Sequence, residues 1–157
     1  MISVIIGVLS LAILFVYLQN FCEQVLGRHF EDPLPEPIVD ANRLEFPYVR
    51  KTLEEFDTPL DYPRFSMHLK CDYLALVYLL KNAANKERRL TGSERVLAMY
   101  FRVLSGTLAA MHLIKFGERA VLLKMTEVLE YFANVLGERI KRVRFGPQSG
   151  SEYLMSL

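Results

Sequence analysis

The 157-residue chain lacks a strong net charge of either sign, because 19 lysines and arginines stand against 18 aspartates and glutamates. Domains that bind nucleic acid are usually strongly basic, so this balance makes nucleic acid an unlikely partner. The chain also has only two cysteines, too few for the disulfide framework of a small secreted protein. Disorder is excluded as well, because 52% of the residues are hydrophobic, far above the share typical of disordered chains.

Recognisable catalytic motifs are missing too. The sequence contains no glycine-rich phosphate loop, no CxxC pair, no HExxH zinc motif and no GxSxG nucleophile motif. The strongest cluster is His68, Cys71 and Asp72, which a helix would bring to one side and which resembles the spacing of metal ligands. Three histidines and two cysteines are little material for a site, however. The sequence therefore predicts neither an enzyme nor a cofactor, and a tethered metal protein or enzyme using these three residues is the alternative.

Charge is absent from the first 18 residues, and only two serines and a glycine interrupt their apolar run. As a helix they span about 27 Å, close to the roughly 30 Å of a bilayer's hydrocarbon core. A cleaved signal peptide would begin with basic residues and end in small ones, whereas this segment begins MISV and is followed by QNFCEQ. A buried core helix is the other alternative. We interpret residues 1–21 as a single transmembrane anchor in contact with membrane lipid.

The positive charges near this segment lie only on its C-terminal side. The first is Arg28, followed by Arg43 and Arg50. Because cytoplasmic flanks carry the excess of lysine and arginine, the sequence favours a cytoplasmic C-terminal domain. We expect a single-pass protein of the cell membrane or inner membrane.

Residues 22–65 are acidic and rich in proline. Six of the seven prolines lie between Pro33 and Pro63, and nine acids stand against three bases between Glu31 and Asp61. Because proline fixes φ and lacks an amide donor, the pattern predicts an extended linker rather than a long helix. The linker either spaces the domain from the bilayer or lies as a strap along its own domain or a partner. Large aromatic residues favour the strap.

Helical periodicity follows over residues 66–145, with Ser66 and Ser93 as predicted N-caps and Gly117 as a helix terminator. The middle of the first helix, residues 73–80, is apolar on every side and predicts burial all round by the protein or by a partner. The second and third helices, of similar length and joined at Gly117, predict an antiparallel hairpin. The predicted fold is all-α: one transmembrane helix, an extended proline-rich linker, a three-helix domain and a tail at residues 146–157.

The hairpin places two basic clusters at one end of the domain, which we call the basic pole. The pole either serves the protein itself, as a favourable helix C-terminus and a solvated loop, or contacts an acidic surface, the acidic linker or anionic lipid headgroups. Its eight residues are Lys86, Arg88, Arg89, Arg95, Arg139, Lys141, Arg142 and Arg144.

Together these features predict a non-catalytic accessory, scaffold or assembly subunit of a larger membrane complex, which binds protein partners through its helical domain and linker. A basic module that binds lipid surfaces is a further alternative. The predicted partner contacts are aromatic side chains of the linker and the first helix, namely Phe46, Tyr48, Phe56, Tyr62, Tyr73 and Tyr78.

Overall fold

A computed structural model describes residues 1–28, 30, 36–55, 61–82, 90–114 and 117–145, without the side chains of Ile2 and of residues 142–145. Within these ranges all regular secondary structure is helical, as predicted, and it forms six helices rather than four. In chain order they are α1 (Ile2–Leu26), α2 (Glu36–Ala41), α3 (Phe46–Glu55), α4 (Tyr62–Asn82), α5 (Gly92–Ile114) and α6 (Glu118–Phe145).

The first helix has two parts with different surroundings. Residues 3–17 are exposed along their whole length, whereas burial begins at Leu18 and Cys22 is completely buried. Val25 and Leu26 pack against the same core. The helix therefore continues five residues beyond the expected anchor of residues 1–21, and its last turns are part of the folded domain.

The structure is helical at several places where an extended linker was expected over residues 22–65. Pro37, Pro47 and Pro63 are each the second residue of a helix, in α2, α3 and α4. The first amides of a helix have no partner within it, so proline costs no hydrogen bond there and its fixed φ suits the helix. Because Pro63 is compatible with the first turn of a helix, α4 begins at Tyr62, four residues before the expected cap at Ser66. Pro33, Pro35 and Pro59 lie outside the described residues.

The central helix is α6, which contacts each of the other five helices. Most of its side chains between Val121 and Leu136 are buried. The sequence placed all-round burial in α4 instead, yet one side of α4 faces solvent. The charged residues of α6 do not suggest burial in the sequence. In the structure they lie where α6 meets other helices; Glu130, for example, contacts Arg50 of α3.

The end of the domain that contains Glu94 and Arg139 is called the distal end. The Arg139 guanidinium donates two bonds to the Glu94 carboxylate, at 2.6 and 2.7 Å, and a third at 2.9 Å to the backbone oxygen of Leu80. Glu94 also accepts the amide of Thr91, the reciprocal half of a capping box in which Thr91 rather than Ser93 precedes the helix. One arginine thus joins the ends of α4, α5 and α6.

The opposite end, where α5 ends and α6 begins, is called the turn end. Gly117 has a φ of 76°, a left-handed conformation that side chains disfavour and that commonly terminates helices. His112 contacts Glu118 at 2.9 Å across the turn, and the Tyr62 ring stacks on the His112 ring at 3.9 Å. Since Arg139 meets Glu94 and Glu118 meets His112, α5 and α6 run antiparallel.

Removing the cation at the distal end is expected to destabilise the protein strongly. Arg139→Met leaves a carboxylate at Glu94 that is only 4% exposed, and breaking a buried ion pair in this way costs about 3 kcal/mol or more. Urea unfolding of the full-length protein in detergent micelles, followed by circular dichroism, measures the change.

The matched control is Arg28→Met, because Arg28 pairs with Glu138 at 3.3 Å but is 51% exposed. An exposed pair contributes less than about 1 kcal/mol. Equal losses in the two variants would show that the Arg139–Glu94 pair does not stabilise the domain.

Candidate functional site

The structure describes the side chains of only three of the eight residues in the predicted basic pole. Arg139 is held by Glu94 and is 11% exposed. Arg95 is exposed and donates to the backbone oxygen of Leu90 at 3.1 Å, and Lys141 is exposed. Arg139 is therefore an internal structural cation. Of Arg142 and Arg144 only the helical backbone is described, and Lys86, Arg88 and Arg89 lie outside the described residues.

His68 and Asp72 of the predicted cluster face α3, whereas Cys71 faces solvent. The Asp72 Oδ2 accepts the amides of Glu45 and Phe46, at 2.8 and 2.7 Å, and so caps the N-terminus of α3. His68 contacts the Glu45 carboxylate, and Cys71 is exposed. The three side chains do not converge. Within the part of the chain that the structure describes, no group of three histidine, cysteine or acidic side chains is arranged to hold a metal ion.

The Asp72 carboxyl is only 6% exposed. Burial raises its pKa from 3.8 to about 6, because an ionised carboxylate loses its hydration there. The bond from the Phe46 amide and the charge of His68 act in the opposite direction. The group is thus a structural cap whose protonation changes in mildly acidic solution.

The predicted partner contacts divide into two groups. Phe46 and Tyr73 lie in the core of their own domain, where the Tyr73 ring stacks on Phe101 at 4.2 Å. Tyr62 is half-buried against His112. The described helices between residues 36 and 55 thus pack on the domain, and these three aromatic side chains have partners within it. Tyr48 and Tyr78 are 64% and 67% exposed. Phe56 lies outside the described residues.

The side of α4 opposite the core forms an apolar stripe, which we call the outer face of α4. Its four exposed members are Met67, Cys71, Leu74 and Tyr78, spaced by four, three and four residues. This spacing is typical of a helix seam that packs on another helix. Of these residues only Tyr78 was predicted as a contact. The same periodicity in the sequence identifies Met67 and Leu74 once Leu69, Leu76 and Leu80 are assigned to the core.

A cleft of about 420 Å³ separates the end of α1 from α6. Its cations are already paired with carboxylates of the protein: Lys124 lies 2.9 Å from Glu127 and 3.6 Å from Glu23, and Arg28 pairs with Glu138. Among the described residues, no buried side-chain nitrogen or oxygen lacks a hydrogen-bond partner. The cleft is therefore lined by ion pairs that connect α1 and the residues after it to α6.

No protein-family model, curated protein or solved structure matches the chain. Among the described residues, the outer face of α4 is the main feature from which a function can be inferred.

Asp72 makes the stability of the protein depend on pH. Its pKa is higher in the folded chain than in the unfolded one, so between about pH 4 and 6 the folded state keeps a proton that the unfolded state has lost. The contribution of Asp72 to the free energy of unfolding is greatest below about pH 4. It falls by roughly 3 kcal/mol between about pH 4 and 6 and stays constant above that range.

Asp72→Asn keeps an oxygen that accepts the two amides but cannot ionise. We expect the free energy of unfolding of the wild type, minus that of the variant, to fall between pH 4 and 7. Other carboxyls cancel in this difference, which denaturant titrations in micelles would measure. A difference that stays constant with pH would contradict the role assigned to Asp72.

Proposed function

We propose that this protein is a non-catalytic, single-pass accessory subunit of a larger membrane complex, anchored by α1 and bound to its partner through the outer face of α4. The observation that carries the proposal is the exposure of Met67, Leu74 and Tyr78, each about two thirds exposed, in one stripe. A contiguous apolar stripe on the surface of a folded domain marks an interaction surface.

Charge indicates what kind of partner fits the stripe. The exposed charged residues of α4 are Arg64, Lys70 and Lys81, all basic, because its one acid, Asp72, is buried. An amphipathic helix seats its apolar side in such a seam, and flanking charges select the partner. The proposed occupant is a helix outside the membrane with an apolar stripe flanked by aspartate or glutamate.

The anchor is supported by the composition and exposure of α1. Two helices among the described residues are long and apolar enough to cross a bilayer, α1 over Ser3–Leu26 and α5 over Gly92–Ile114. A third of the α5 window is buried in the domain, whereas none of the α1 window is. A core helix and an N-terminal signal sequence have similar properties, but an unburied helix that is continuous with the folded core favours a retained anchor.

Docking is tested with a charge placed in the middle of the outer face of α4. Leu74→Glu introduces an acid where the proposed partner is apolar and acidic at its flanks. We expect the tagged wild-type chain, extracted in mild detergent from its native membrane, to migrate in a large assembly, and the variant to migrate alone.

Met99→Glu is the matched control, because Met99 is a similarly exposed apolar residue, 53% exposed, on a different helix, α5. It should migrate with the assembly. A wild-type chain that migrates as a lone monomer, or a Leu74→Glu variant that stays in the assembly, would refute docking through this face.

The proposed orientation, with the folded domain in the cytoplasm, is tested by labelling a cysteine on another surface. Cys22 is buried, so a Cys71→Ser chain that carries Tyr48→Cys has one accessible thiol. A membrane-impermeant maleimide should label it only after the cells are permeabilised. Labelling in intact cells would reverse the orientation.

A further inference from the structure

The direction of α1 relative to α6 determines which end of the domain faces the anchor. Glu23 lies 3.6 Å from Lys124, the Phe30 ring lies 5.4 Å from the Tyr131 ring, and Arg28 reaches Glu138. Between residues 23 and 30 the partner on α6 advances from Lys124 to Tyr131, and the long side chain of Arg28 reaches further along α6, to Glu138. The exposed part of α1 consequently points backwards, past the N-terminus of α6 and the turn end of the domain.

The length of the exposed part then gives the level of the bilayer. Leu18, where burial begins, is five residues before Glu23, and at about 1.5 Å per residue it is level with the first turn of α6. Residues 3–17 extend beyond it by roughly 22 Å, most of a hydrocarbon core of about 30 Å. The near surface of the bilayer is therefore close to the turn end.

The turn end carries the two most exposed large apolar side chains of the described residues after Met1. They are Leu113, 85% exposed, and Ile114, 74% exposed. Tyr17, 69% exposed, lies at about the level of the turn end, where α1 emerges from the domain. Aromatic side chains are typical of the membrane interface.

Three described residues of the turn end with ionisable side chains, His112, Glu118 and Arg119, have partners inside the protein. His112 and Glu118, on either side of the turn, contact each other at 2.9 Å. Arg119 donates to the backbone oxygen of Leu53. These described groups therefore bring no unpaired charge to a contact between the turn end and lipid, and Lys115 lies outside the described residues.

We propose that the turn end of the domain enters the interface of the bilayer that α1 crosses, through Leu113 and Ile114. This inference rests on the proposed anchor and adds a second attachment point. Two attachments stop the domain from swinging about α1, so they hold the outer face of α4 sideways, towards a partner in the same membrane.

The absence of tryptophan makes a single-reporter experiment possible. Leu113→Trp, and separately Ile114→Trp, are prepared in the full chain and reconstituted into vesicles of phosphatidylcholine and phosphatidylglycerol. We expect blue-shifted emission, quenching by lipids brominated close to the headgroup, and protection from aqueous iodide. Two reporters guard against a local effect of either substitution.

Two matched reporters separate the possible failures. Met99→Trp lies about 21 Å along α5 from Leu113 and should be quenched by iodide but not by brominated lipid. Tyr17→Trp reports on the anchor and should be quenched by brominated lipid. If it is not, the anchor itself is refuted.

If brominated lipid quenches Tyr17→Trp but neither turn-end reporter, the anchor stands and the second attachment is overturned. Turn-end reporters that are shielded from iodide without quenching by brominated lipid indicate contact between protein copies, which also overturns it.

Discussion

The arrangement of the molecule depends on the need to cover α6 on every side. A helix buried along most of its length requires neighbours all round, and α1 to α5 provide them. The charges on α6 then meet a particular neighbour: Lys124 meets Glu23 of α1, Glu130 meets Arg50 of α3, and Arg139 meets Glu94 of α5. We infer that apolar burial supplies most of the stability and that these pairs set the register of each covering helix.

The position of α1 among these covering helices has a mechanical consequence. A long extended linker would let the domain move far from the bilayer, whereas in this protein the helix proposed as the anchor runs directly into the core, where Cys22 is buried. The acidic and proline-rich segment leaves the end of α1 and returns to α6 through α2 and α3. The described helices of that segment cover the domain, and on the proposed anchoring one continuous helix sets the distance between domain and membrane.

The sequence predicted the helical class and the positions of α5 and α6 well, because caps and terminators are local signals. Gly117 ends a helix from its own conformational preference, whatever surrounds it. The prolines misled because their effect depends on position: Pro47 in the second place of a helix starts it, whereas the same residue in the interior would break it. Asp72 could not be recognised as a cap, since the amides that it accepts lie 26 and 27 residues away. Likewise, no local pattern says that α6 rather than α4 is central.

The same geometry bears on how the basic residues of the distal end are used. On the proposed arrangement the turn end meets the bilayer, and α5, with 23 residues, separates it from the distal end by about 34 Å. Electrostatic attraction is screened over roughly 8 Å at physiological ionic strength, so Arg95 lies beyond the reach of headgroups in the membrane that α1 crosses. An acidic partner for that end is therefore a protein surface or a second membrane. The outer face of α4 extends between the two levels, and its flanking lysines lie where a partner helix beside the domain would place its carboxylates.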